Sequence, residues 1–174
     1  MSLYGEQAQV VRRVGIADGA VVSRPDKLRT AGLGSCVGLV VYDWKSGLSG
    51  MVHVMLPVAP IHVINGSKVD GQKPQKYADL GVSWLIEQLQ SEGAQTGNLR
   101  AKMAGGAQMF ASAGRSDVLR VGPRNVEAVE NALASYSIPL LAKDVGGREG
   151  RTIEFDTETQ LLSIRTAKSG TFTL

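Results

Sequence analysis

Cysteine is nearly absent: Cys36 is the single one among 174 residues. No internal disulfide can form, so packing alone must hold the fold. A chain of this length can bury a sufficient core in one domain without a structural metal. Histidine is almost as scarce, with only His53 and His62. Two histidines, one cysteine and no clustered carboxylates fall short of a zinc ligand set. Aromatic residues make up 5% of the chain, and the 19 Lys and Arg are scattered among 16 Asp and Glu. Nucleic-acid binders cluster their basic groups or interleave them with stacking rings, so the net charge of +3 reads as an ordinary solvated surface. No apolar run reaches the length that spans a bilayer, and the opening "MSLYGEQAQVVRR" has no secretory apolar core. A cytoplasmic chain without membrane insertion is expected.

What is present is a series of short, valine-rich apolar runs separated by glycines, at 10–16, 20–22, 37–42 and 51–56. Their length and composition predict strands. In "MVHVML" both alternating sets are apolar, which predicts a strand buried on both faces. Residues 57–76, rich in proline and glycine, read as a long loop. Tyr77, Leu80, Trp84, Leu85 and Leu89 recur at helical spacing, with Gly93 as the stop. "LRAKMAGGAQMF" reads as a strand running into a glycine turn. A second helix is expected over about 125–136, and a hairpin joins "RTIEFD" to "LLSIRTA" around "TETQ". This order predicts an α+β (mixed α/β) fold with substantial antiparallel pairing, as one domain over residues 1–174 whose first eight or so residues are loose.

"TAGLGSCVGLVVYD" holds the candidate chemistry. Thiol catalysis needs a sulfur with thiolate character, a base within reach and donors for a developing oxyanion. The glycines before Cys36 let the backbone bend sharply, which leaves N–H groups near Gly34 and Ser35 free to face negative charge. The residues alone leave two readings of Cys36: a nucleophile, or a buried thiol acting as a small hydrophobe. If the runs on either side of "DWKSGLSG" are adjacent antiparallel strands, His53 can reach the sulfur; if it also lowers the thiol pKa, Cys36 should be alkylated quickly near neutral pH. His62, in the long loop, reads as an ordinary exposed side chain. A third group would hold the imidazole tautomer, and Thr30, Asp43 and Asp144 are the candidates. The "GLG" and "AGG" segments lack the Gly-Lys-Ser/Thr that a phosphate loop requires.

"VGIADGAVV", "TAGLGSCVGLVVYD", "GMVHVMLP", "KYAD", "AKMAGGAQMF", "VGPRNVEAV" and "DVGGREGRTIEFDTET" together resemble the CheD chemoreceptor glutamine deamidases of bacterial chemotaxis over almost the whole chain. The resemblance implies packed β-sheets flanked by helices, similar to the catalytic domains of glutamine-deamidating toxins. It implies Cys36 as nucleophile, His53 as base, Thr30 as the group that orients the histidine, and no cofactor. It implies hydrolysis of glutamine side chains on the cytoplasmic helices of methyl-accepting chemoreceptors, with receptor methylester hydrolysis as a second activity. It also implies the CheC phosphatase as a partner, and a purely regulatory CheC-binding module is the rival reading. Gln160 departs from the family, whose final hairpin often has glycine there, and leaves that turn type open.

Overall fold

A computed structural model describes residues 8–61, 73–109 and 120–174. Its strands are β1 (Val11–Arg13), β2 (Gly19–Val22), β3 (Lys27–Leu33), β4 (Val37–Asp43), β5 (Ser49–Val54), β6 (Leu99–Gly105), β7 (Leu140–Val145), β8 (Arg151–Asp156), β9 (Leu162–Thr166) and β10 (Gly170–Thr173). Helix α1 (Ala78–Ser91) lies between β5 and β6, and helix α2 (Val121–Ser135) between β6 and β7. The strands form two five-stranded sheets, ordered β1-β3-β8-β9-β10 and β2-β5-β4-β6-β7. The pairs β1–β3 and β6–β7 are parallel; the other ladders are antiparallel. This is the α+β arrangement that the order of elements predicts.

The second sheet is the middle layer, and every residue of β4 and β5 is buried. On one face Val37, Leu39, Val41, Val52 and Val54 pack against Val82, Leu85 and Leu89 of α1 and Val129 and Leu133 of α2. On the other, Val40, Tyr42 and Met51 meet Leu28, Ile153, Phe155 and Ile164 of the first sheet. Tyr42 and Phe155 close that interface with ring centroids 5.0 Å apart. A strand apolar on both faces is stable only between two such layers, which is why "GLVVYD" and "MVHV" occupy the centre. Among the described residues, no helix is long and apolar enough to cross a membrane.

Several boundaries differ from the sequence reading, for physical reasons. Lys27–Leu33 is a full strand; its Leu28 and Thr30 face inward while Lys27 and Arg29 reach Glu154 and Asp156 outside. That alternation marks a half-buried strand, which a search for continuous apolar runs passes over. The first run stops at Arg13, leaving Ile16 exposed in the turn beyond it. The second helix begins at Val121, because Pro123 suits a first helical turn. Within the long loop, Pro74–Lys76 form a 3-10 turn. His62 and residues 1–7 lie outside the described residues. Gln160 takes the left-handed backbone (φ 59°) that glycine would favour, with its Nε2 donating to the Trp44 carbonyl at 2.9 Å.

Candidate active site

The site is assembled at one end of the central hairpin. The turn after Asp43 returns the chain so that β5 pairs with β4 in the register Val37 to Val54 and Gly38 to His53. Cys36 immediately precedes β4, two residues before Gly38, so its thiol shares the sandwich-facing side with His53 as a diagonal cross-strand neighbour. Cys36 is partly buried, whereas His53 is fully buried. Opposite His53, the missing side chain of Gly38 makes room for the first sheet. A Cβ there would come within 2.6 Å of Ile153 Cδ1 and 3.4 Å of Thr30 Cγ2.

Across that gap, Thr30 Oγ1 lies 2.8 Å from His53 Nδ1 and donates to the Val14 carbonyl at 2.8 Å. A hydroxyl has one proton, so with it committed to Val14 the oxygen can only accept from the ring. This network assigns the proton of the neutral imidazole to Nδ1 and leaves Nε2 as a bare acceptor. Nε2 is buried and, among the described residues, has no hydrogen-bond partner, the Cys36 thiol included. Thr30 lies on β3, in the first sheet. It reaches the histidine from a strand of the opposite sheet.

The other two candidates for the third group are occupied elsewhere. Asp43 sits at the far end of β4, where its carboxylate accepts from the amides of Lys45, Ser46 and Gln95. Burial pushes that carboxyl up, but these amides outweigh it and hold the pKa below the usual range. Asp144 pairs with Arg151 at 2.8 Å.

Around Cys36 three successive carbonyls are held by hydrogen bonds. Ala107 N–H donates to Gly34 O at 2.8 Å, Asn125 Nδ2 to Ser35 O at 2.9 Å, and Gly106 N–H to Cys36 O at 2.8 Å. A trans peptide points its N–H opposite to its carbonyl, so the amides of Ser35 and Cys36 face away from these donors. Neither amide has an acceptor outside its own residue among the described residues. The glycine turn after β6 makes this clamp possible: Gly105, at φ +119°, is so close that a Cβ would lie 2.2 Å from the Cys36 carbonyl oxygen. Asn125 was not singled out from the sequence. Its signal was a polar residue on the helical face shared by Val129 and Leu133.

Electrostatics make the resting pair neutral. Burial pushes the Cys36 thiol above its ordinary 9.0, only partly opposed by its own backbone amide. Burial lowers His53 from 6.5 to about 4. A thiol lowered by the histidine is therefore not what the site holds at rest. Desolvation disfavours both charged forms, and no ion pair compensates.

A family model described as "CheD chemotactic sensory transduction" matches residues 55–166. The chemoreceptor glutamine deamidase CheD of Halalkalibacterium halodurans is 51% identical over 160 residues, 92% of this chain and 96% of that protein. The protein of the same name from Bacillus licheniformis is 46% identical over 174 residues, 100% of each chain. That of Bacillus subtilis strain 168 is 44% identical over 165 residues, 95% of this chain and 96% of that protein. The chain belongs to the CheD family. The family model begins two residues after His53, but the full-length CheD relative from Bacillus licheniformis also spans the segment with Thr30, Cys36 and His53. Among solved structures, the Bacillus licheniformis hypothetical protein YfiH is similar to this CheD chain over 73% of its length and 49% of that chain, at 17% identity and a TM-score of 0.45.

Proposed function

We propose that this CheD family chain is a cysteine-dependent amidohydrolase that converts selected glutamines on the cytoplasmic helices of bacterial chemoreceptors to glutamate, and so adjusts chemotactic signalling in the cytoplasm. The substrate follows from its relatives, which are described as chemoreceptor glutamine deamidases. One observation carries the chemistry. The hydrogen bond from His53 to Thr30 leaves Nε2 unprotonated on the sheet face where Cys36 stands.

Cys36 Sγ attacks the carboxamide carbon as His53 Nε2 takes the thiol proton. The carbonyl oxygen becomes an oxyanion, held by the amides of Ser35 and Cys36 in the turn that Gly34 opens. His53 then gives its proton to the departing nitrogen, which leaves as ammonia, and a thioester remains. Water attacks the thioester while His53 takes its proton. The second tetrahedral intermediate collapses to glutamate, and Sγ regains the proton from His53. Because both groups start neutral, proton transfer accompanies attack and does not precede it. Thr30 keeps the ring in the tautomer that both halves require.

The test is incubation with receptor cytoplasmic fragments, followed by mass spectrometry of the glutamine peptides. Conversion of particular glutamines to glutamate by wild type and not by Cys36→Ala is expected. No conversion by wild type, or equal conversion by the variant, would overturn the reading. Fragments carrying glutamyl methyl esters, and purified CheC, test the methylesterase and partner-binding alternatives in the same assay.

A further inference from the structure

Asn125 is fully buried in α2, on a face it shares with Val129 and Leu133. Both hydrogens of its carboxamide are committed to carbonyls of two other segments: Ser35 O in the cysteine turn and Met55 O just beyond β5, each at 2.9 Å. Its Oδ1 is buried and unpartnered among the described residues. An apolar residue of similar volume would avoid the cost of that open acceptor. What asparagine supplies is the pair of donors.

The Ser35 carbonyl and the Cys36 N–H belong to one planar trans peptide, so fixing the first aims the second. Of the three clamped carbonyls, Gly34 O and Cys36 O are held by backbone amides, and Ser35 O alone is held by a side chain. We propose that Asn125 is a positioning residue for the oxyanion site: it orients the Cys36 amide through the Ser35 carbonyl and ties that turn to the end of the strand that carries His53. The inference rests on the reading of Cys36 as the nucleophile.

Asn125→Leu removes both donors while keeping the branch at Cγ, and Asn125→Ser keeps one donor. With receptor fragments as substrate, kcat is expected to fall by up to about a hundredfold in Asn125→Leu, with an intermediate loss in Asn125→Ser and little change in KM. Alkylation of Cys36 by iodoacetamide develops no oxyanion and feels the Cys36 amide only through its small effect on the thiol, so its rate should fall far less than kcat in both variants. An unchanged kcat in the variants would overturn the proposal. So would a parallel loss of alkylation and turnover, because Asn125 would then be a packing residue. Should Asn125→Leu not fold, Asn125→Ser carries the same comparison.

A readout independent of turnover separates this inference from the proposed function. Loss of the bond should move the carbonyl-carbon NMR shift of Ser35 and the hydrogen-exchange rate of the Cys36 amide. If both stay at their wild-type values, the positioning role is wrong whatever the activity. If both move but wild type deamidates nothing, the positioning stands and the proposed function fails.

Discussion

Thr30 and His53 belong to different sheets, and their 2.8 Å hydrogen bond crosses the interior of the sandwich. Cys36 and His53 come from one hairpin, but the hydroxyl that meets the imidazole comes from the opposite layer. Thr30→Val removes the acceptor for Nδ1–H and the donor for Val14 O at a buried position. Leaving those groups unpaired should cost about 1–3 kcal/mol of stability. Turnover should fall by less than the roughly ten-thousandfold known for a carboxylate orienter. Thr30→Ser keeps the hydroxyl and should recover most of the activity. Equal deamidation rates for Thr30→Val and wild type, in folded protein, would remove Thr30 from the mechanism.

The neutral resting pair predicts slow alkylation. With the Cys36 thiol above 9.0 and His53 uncharged near neutrality, only a small thiolate fraction is available to iodoacetamide at pH 7. The labelling rate should climb with pH up to and beyond 9.0 without a plateau below it. His53→Gln should leave that profile nearly unchanged, because the imidazole lends no charge at rest. A labelling plateau near neutral pH that vanishes in His53→Gln would instead reveal a thiolate–imidazolium pair.

The β4–β5 hairpin was legible in the sequence because two runs apolar on both faces flank a turn rich in glycine and serine. Pairing of those runs is enough to bring Cys36 and His53 to one face. The contact to Thr30 was not legible from geometry, since it depends on how two sheets pack; the residues made Thr30 one of three candidates, and resemblance to a family singled it out from Asp43 and Asp144. Lys27–Leu33 hid as a strand because charged residues alternate with its buried ones. Asn125 escaped notice because the second helix was expected to start there, where a polar residue is unremarkable, and not one turn earlier. The raised thiol pKa is a consequence of tertiary burial, for which the residue pattern carries no signal.

Burial of His53 should make the protein acid-sensitive. Its folded-state pKa of about 4 lies below the unfolded 6.5, so the unfolded chain holds the extra proton between those values. Stability therefore falls as pH drops through that window, by roughly 3 kcal/mol from this group. Urea unfolding of wild type and His53→Gln from pH 7 to 4 isolates the effect, since carboxylates titrate alike in both. The wild type should lose more stability than the variant. Parallel curves would mean that His53 is protonated as easily when folded as when unfolded.

Gly34 lies in the cysteine turn and Gly105 packs against it, and the two should respond very differently to alanine. At Gly105 a Cβ would lie 2.2 Å from the Cys36 carbonyl oxygen and 3.2 Å from Val37 Cα, and φ is +119°. Those neighbours are backbone atoms, held by the β4–β6 ladder in which Val37 faces Gly105. They cannot rotate away. Backbone strain should cost about 1–3 kcal/mol and overpacking about as much again. The displaced carbonyl would also break its bond from Gly106 N–H and tilt the cysteine turn, so deamidation should drop with stability. At Gly34 the nearest obstacle is Met109 Sδ, 2.9 Å from a built Cβ. Met109 is about half exposed and its thioether can swing into solvent. Gly34→Ala should therefore change unfolding free energy by less than about 0.5 kcal/mol. Urea titration of the two variants side by side checks the pair. A Gly105→Ala protein as stable as Gly34→Ala would show that the turn yields, and the clamp on Cys36 would not be rigid.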